Sequence, residues 1–563
     1  MHILKKTRYP VCAAGVAWIL AVASDANAQT ERPNHLPSQD TLRYQEQQLQ
    51  GVKEQALAPP EVLTPVVRQN SELPDFPIET PCFAIAEVEW RGAENFPWLP
   101  GRVPIEGTCM GAQGRDILSQ WIARQLIADG YITTQVFFPE QDFATGHLVI
   151  EVVPGRVGTI RDEGASIGWS RMVFPERSHA LLNIRDLDQA LENIRRLPGQ
   201  GVTAFDLVPG TDLGESDIVI RHPQNTRRVR FVLTADNSGI DATGRNQLGA
   251  IVAIDSPLHL YDQLIATVNN DAGLRNDRAG SRSKSIAWNV PIGYASFSLG
   301  FSEWSSKQAL PVVGADILYT SRTRRFEAGV TYVPYRTSHN KGSLQFNLVR
   351  RQDQASLGGE EIGVQKRDIT SYEIRASHLE MFSDASLHAA IGLRGSLAGL
   401  SRTPGFVYGQ SNWSGRYQIL TTNASLNVPF RIDSRAFGYR GTFFLQHALQ
   451  PTPFTEYLQI GGRYSVRGFD GNQSLAAQNG WTWRNELATG LFAGSETYVA
   501  LDAGQVSGDP ATARGRTLIG SALGIRGSYR GLGYDVSVGA PLLRPDTIQT
   551  GTPSLNVQMT YRF

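Results

Sequence analysis

From about residue 224 to the final residue, Phe563, apolar and polar residues alternate with period two, and the chain never returns to a helical period. Ala295, Phe297, Leu299 and Phe301 alternate with Ser296, Ser298, Gly300 and Ser302; Leu555, Val557, Met559, Tyr561 and Phe563 alternate with Ser554, Asn556, Gln558, Thr560 and Arg562. Such a pattern builds half-buried strands and excludes a helical domain. Its extent then decides between two β architectures. A run of this length exceeds an ordinary water-soluble sandwich, whereas membrane barrel strands of about 9–11 residues with their turns and loops fit sixteen strands at about 21 residues each. Closure of the sheet satisfies every backbone group that lipid cannot. The expected fold is therefore an all-β transmembrane barrel of about 16 antiparallel strands over residues 224–563.

Composition agrees with that fold and removes others. The 53 Lys+Arg balance 53 Asp+Glu, so no basic footprint for nucleic acid exists. Mean hydropathy is −0.24, and beyond the first thirty residues no run of about 18 apolar residues could form a spanning helix. In an alternating barrel each lipid-facing apolar residue is diluted by a polar neighbour facing water, so a membrane protein can average to a negative hydropathy.

Residues 1–28 read as a signal peptide: Lys5, Lys6 and Arg8 precede an apolar stretch from Val11 to Ala23, which ends near the small-residue site Ala26-Asn27-Ala28. Residues 29–57 form an N-terminal segment whose stretch 40–57 is rich in Gln and Glu, a polar helix with Asp40 as its cap and too few apolar residues for a core. Five prolines between 58 and 77 mark an extended linker. Cys82 and Cys109 are the two cysteines that remain after cleavage, and in an exported chain they are expected to pair as a disulfide. They belong to no CxxC or Cys/His pattern, so no metal site and no cofactor is expected.

Two small α/β modules follow. In 78–155, a strand Phe83 to Trp90 precedes a helix from Asp116 to Asp129 that Gly130 stops, then strands Tyr131 to Phe138 and His147 to Val153. In 156–223 the plan repeats: a strand near Val157 to Ile160, a helix carrying Leu187, Ala190, Leu191 and Ile194 at i, i+3, i+4 and i+7, and strands Val202 to Val208 and Asp217 to Arg221.

With its modules in this order the chain resembles the outer-membrane transporters of two-partner secretion, the TpsB family. The two modules look like POTRA domains, the first in PCFAIAEVEWRG, TCMG and GYITTQVFFPEQDFATGHLVIEVVPG, the second in LLNIRDLDQALENIRRLPG and LVPGTDLGESDIVI. The most specific motif is GGRYSVRGFDGN, residues 461–472, holding Val466, Arg467, Gly468 and Phe469. The resemblance implies that this loop folds into the barrel lumen, where Arg467 pairs with an acidic residue of the inner wall. The matching stretch is Leu501-Asp502-Ala503-Gly504, which nominates Asp502 and Gly504; the family often has an aromatic residue two positions before this Asp, where this chain has Ala500.

The implied function is export of one large partner exoprotein (an adhesin, a cytolysin or a contact-dependent toxin) without ATP, with the POTRA domains recognising the unfolded partner in the periplasm. The resemblance implies a monomer in outer-membrane lipid of a Gram-negative cell, with the polar N-terminal helix as a plug in the pore and no nucleic-acid partner. Two alternatives share part of the pattern: an outer-membrane assembly factor that inserts other barrels, and a passive porin. An enzyme is not expected, because the chain has neither a G-x-S-x-G elbow nor an H-E-x-x-H, and its 10 histidines lack ligand spacing.

Overall fold

A computed structural model of the chain describes residues 62–63, 72–224, 227–273, 276–312, 315–402, 415–492, 494–508 and 516–563. The signal peptide, the polar segment 29–57 and most of the linker lie outside the described residues.

The first module packs the helix Ala112–Ala128 on a three-stranded sheet in the order Glu87–Arg91, His147–Val153, Gln135–Phe137. The helix turns Leu118, Trp121, Ile122 and Leu126 inward, onto Leu148, Ile150 and Val152 of the central strand. The helix begins a turn earlier than its apolar spacing predicts because a remote carboxylate caps it: Glu79 accepts from the backbone N–H groups of Gln113 (2.8 Å), Gly114 (2.7 Å) and Gly111 (3.1 Å). These N–H donors hold the Glu79 carboxyl below its ordinary pKa. The expected strand Phe83 to Trp90 is broken into Phe83–Ala84 and Glu87–Arg91, because between them the Ile85 and Ala86 N–H groups turn to Thr108 and Gly146. The expected strand Tyr131 to Phe138 shrinks to Gln135–Phe137, its first residues being taken up in turns after Gly130 (φ 98°). Phe83–Ala84 pairs with Cys109–Met110, and Cys82 and Cys109 form a disulfide. Closing a loop with a sequence separation of 27 restricts the unfolded chain by about 3 kcal/mol.

The second module repeats the arrangement. Its sheet runs Arg156–Glu163, Glu215–Arg221, Ala204–Pro209, and its helix Ile184–Arg195 buries Leu187, Ala190 and Ile194. Asn183 caps that helix through the Arg185 N–H. Its core is completed from outside the module: Tyr261, from a turn of the barrel, is fully buried among Val157, Leu182, Ile194 and Ile220.

The barrel has sixteen antiparallel strands and closes where the last, Ser554–Arg562, pairs with the first, Val229–Asp236. A two-residue piece, Glu360–Glu361, adds to one hairpin. The usual relation of burial to polarity is inverted along the wall: in the last strand Leu555 and Met559 are 50% and 44% exposed, while Asn556 and Gln558 are buried. Apolar side chains thus face outward and polar ones face the lumen, as a lipid-immersed barrel requires. Inward hydroxyls pair across strands, Thr267 with Ser285 (2.6 Å) and Ser306 with Ser321 (2.7 Å). No helix among the described residues is long and apolar enough to cross a membrane; the strands do so instead.

The second module is fixed to one end of this barrel. Asn193 donates to the Gly293 carbonyl (2.8 Å), Trp169 N–H to that of His259 (2.8 Å), and the Arg196 guanidinium to that of Tyr261 (2.5 Å). Arg336, at the end of strand Ala315–Arg336, bonds Glu192, Gln189 (3.0 Å) and the carbonyl of Val62 (3.0 Å), and Lys341 adds a second cation on Glu192 (3.0 Å). Tyr294 donates to Asp186 (2.6 Å).

Candidate functional site: the loop inside the barrel

Between strands Arg435–Ala448 and Asn479–Phe492 the chain leaves the wall at the end remote from the modules and folds inward. A short hairpin, Leu458–Ile460 with Leu475–Ala477, carries the segment that contains Val466 to Phe469. Phe469 is buried with Val466 among Ile460, Leu475, Val506, Leu518 and Ile548. This cluster is apolar inside an otherwise polar lumen, so burial drives the tip of the loop against the wall.

Close approach to the wall depends on missing side chains. Gly468 has φ 99°, a left-handed conformation that disfavours other residues, and a Cβ there would stand 2.4 Å from the Ala540 carbonyl. The wall is bare opposite it: a Cβ at Gly520 would stand 1.9 Å from the Arg467 carbonyl, and one at Gly539 would stand 2.8 Å from the Cα of Gly468. Gly504 seats Val466 in the same way, at 3.0 Å.

The backbone so placed aims Arg467 at two carboxylates. Its Nε and Nη2 meet the two oxygens of Asp502 at 2.7 and 2.9 Å, a bidentate pair, and its own backbone N–H donates to Asp502 at 3.0 Å. Nη1 meets Glu486 at 2.7 Å, and Nη2 also reaches the Asn485 carbonyl at 3.2 Å. Asp502 is fully buried. Glu486 is shared: Arg526 and Arg440 also bond it, and both reach Glu496. The Tyr498 ring lies beside this cluster, 4.7 Å from Arg526 and 6.0 Å from Arg467, with its hydroxyl on Asp535. Ala500 is buried beside Tyr498 and Ala522.

The rest of the motif ties the loop to its surroundings. Asp470 accepts from Gly551 N–H (2.8 Å), and Asn472 exchanges two bonds with Asp241 (2.8 and 2.9 Å). Sequence reasoning named Arg467, Asp502 and Gly504 but missed Glu486, Arg526, Gly520 and Gly539. Inward charges and glycines recur throughout the alternating strands, and cross-strand register alone tells which of them meet the loop. No group of three or more His, Cys, Asp or Glu side chains among the described residues is placed to hold a metal.

Comparison with known proteins agrees in fold and length. The family model for haemolysin secretion/activation proteins ShlB/FhaC/HecB matches residues 214–527. The chain belongs to this family. A ShlB-type POTRA domain matches residues 83–155 and a further POTRA domain matches 156–209. The outer membrane transporter CdiB-2 of Burkholderia pseudomallei is 30% identical over 92% of this chain and 94% of its own length. The haemolysin transporter protein ShlB of Serratia marcescens is 25% identical over 75% of each chain. The solved structure of CdiB from Escherichia coli shares the fold, with a TM-score of 0.83 over 94% of this chain and 99% of that one at 24% identity. The chain is thus an outer-membrane protein-secretion barrel with periplasmic POTRA domains, so the module end is periplasmic and the loop descends into the lumen from the cell-surface side. Membership of a secretion family decides against a barrel-assembly factor and a porin.

Proposed function

We propose that the two POTRA domains capture one large exoprotein of the adhesin, cytolysin or contact-dependent toxin kind in unfolded form and deliver it to the lumen, with the protein acting as a monomer. Support comes first from the joint between the second module and the barrel, where Tyr261 of the barrel completes the module's core and sets the module at the periplasmic mouth. Strands Gln135–Phe137 and Ala204–Pro209 lie at sheet edges with no further strand beside them among the described residues. An extended passenger can add to such an edge through main-chain bonds, which tolerate varied sequence. Hydroxyl-lined strands then offer a wet path, and folding of the passenger outside supplies direction without ATP.

In this reading Val466, Arg467, Gly468 and Phe469, with Asp502 and Gly504, form a lock that holds the surface loop against the wall and keeps the path shaped for export. We also propose that the polar segment 29–57 limits ion flow through the idle barrel. The test is co-expression with a candidate exoprotein of this kind: Arg467→Ala is expected to reduce its release sharply with the barrel still inserted, and normal release would refute the lock. Deleting residues 40–57 is expected to raise conductance in planar bilayers, and unchanged conductance would refute the plug.

A further inference from the structure

Charged side chains on the outer surface of the barrel gather on one side, toward the cell-surface end. Register arranges the outward residues of four adjacent strands in rows. Trp288, Leu299, Ala328 and Leu348 form an apolar row, and Ile286, Phe301, Phe326 and Arg350 form the next toward the cell surface. Beyond these come Lys284, Glu303, Arg324 and Gln352, then Arg282, Ser305, Arg322 and Gln354. On the opposite wall, outward positions of strands Arg435–Ala448, Asn479–Phe492 and Ser495–Ser507 carry Phe443, Leu445, Trp481, Trp483 and Ala503 instead.

The patch is cationic after its internal pairs are counted. Glu303 takes Lys284 at 3.1 Å and Arg324 at 2.7 Å, and Asp368 takes Arg350 at 2.7 Å. Among the described residues Arg282 is held by the Asn270 amide oxygen (2.9 Å) and Arg322 is exposed without an ion pair. An excess of cations on a lipid-facing wall is costly at mid-membrane and tolerable only at headgroup height, where anions can meet it. Two concavities, one on either side of the Lys284, Glu303, Arg324 and Gln352 row, match the same division. One of about 590 Å³ is lined by the cations Arg282, Lys307 and Arg322 and by the carboxylates Asp271 and Glu361, among neutral polar residues. The other, of about 560 Å³, lies nearer the periplasm against Ile286, Trp288, Leu299, Phe301, Phe326 and Leu348.

We propose that this wall is a binding site for the phosphorylated, multi-acylated sugar lipid of the outer leaflet. Its phosphates sit on Lys284, Arg322 and Arg324, and an acyl chain fills the groove at Trp288, Leu299 and Phe326. The spread of cations over three strands favours a headgroup with more than one phosphate over a single-phosphate glycerolipid.

Native mass spectrometry of the full chain in detergent, with bis-phosphorylated lipid A as the probe, tests this. Lipid A is expected to be retained, whereas its dephosphorylated form and phosphatidylglycerol are lost. Arg322→Gln is expected to weaken retention about tenfold, and the combined Lys284→Gln, Arg322→Gln, Arg324→Gln variant further. Equal retention of the dephosphorylated lipid or of phosphatidylglycerol would overturn the proposal. So would unchanged retention in Arg322→Gln, a change that removes no ion pair of the barrel and therefore carries the test if the triple variant does not fold.

Discussion

The junction of loop and wall at Arg467 and the junction of module and barrel at Arg336 both bury guanidinium groups, but by different means. Arg467 relies on two buried carboxylates and a seat of glycines. Arg336 shares its load among Glu192, the Gln189 amide and the Val62 carbonyl, within an interface that also has Asn193, Arg196 and the apolar Tyr261. The first depends on a few strong contacts and fails when one is lost; the second distributes many weaker ones. The loop inside the lumen is thus fixed by a concentrated set of charges, and the joint by contacts spread over several residues.

That contrast is broken most severely at Asp502. Asp502→Ala leaves Arg467 buried without its bidentate partner, a loss of about 3–5 kcal/mol in the hold on the loop. Faster hydrogen exchange over residues 461–472 and loss of secretion are expected. The matching change at the joint, Glu192→Ala, leaves Arg336 with the neutral acceptors of Gln189 and Val62 and is expected to cost less, about 1–3 kcal/mol, with secretion retained. Equal effects would erase the distinction. Gly520→Val tests the seat apart from the charge: the added Cβ would collide with the Arg467 carbonyl, so the loop is expected to leave the wall although Arg467, Asp502 and Glu486 are all present.

The smallest effect concerns pH. Burial, with a smaller push from Glu176, raises Asp186 to about 6 against the lowering effect of the Tyr294 hydrogen bond. A carboxyl raised in the folded state favours the protonated form, so its contribution to the joint is full below about pH 4, declines as pH rises through about 6, and is then constant. Asp186→Asn keeps the acceptor for the Tyr294 hydroxyl, and it is expected to raise protection of helix Ile184–Arg195 at pH 7.5 and to change little at pH 4.

Much of the fold can be read in the sequence because period two survives into three dimensions as an inside and an outside: Leu555 and Asn556 differ by one position and face opposite solvents. Local helix signals are less complete. The start of Ala112–Ala128 is set by Glu79, far away in sequence, and no spacing rule reveals such a cap. At the lock, Arg467 is marked by its motif and Asp502 by the family resemblance of Leu501-Asp502-Ala503-Gly504, yet Glu486 resembles any inward acidic residue until the Arg484–Asp502 register places it beside the loop.

The route of the passenger is the central claim, and adjacent positions on each of two strands test it. With photo-crosslinking residues at inward Thr267 and Ser321 and at outward Val268 and Thr320, and with an exoprotein stalled during export, adducts are expected from the inward pair alone. Adducts from Val268 and Thr320 as strong as those from Thr267 and Ser321 would contradict passage through the lumen.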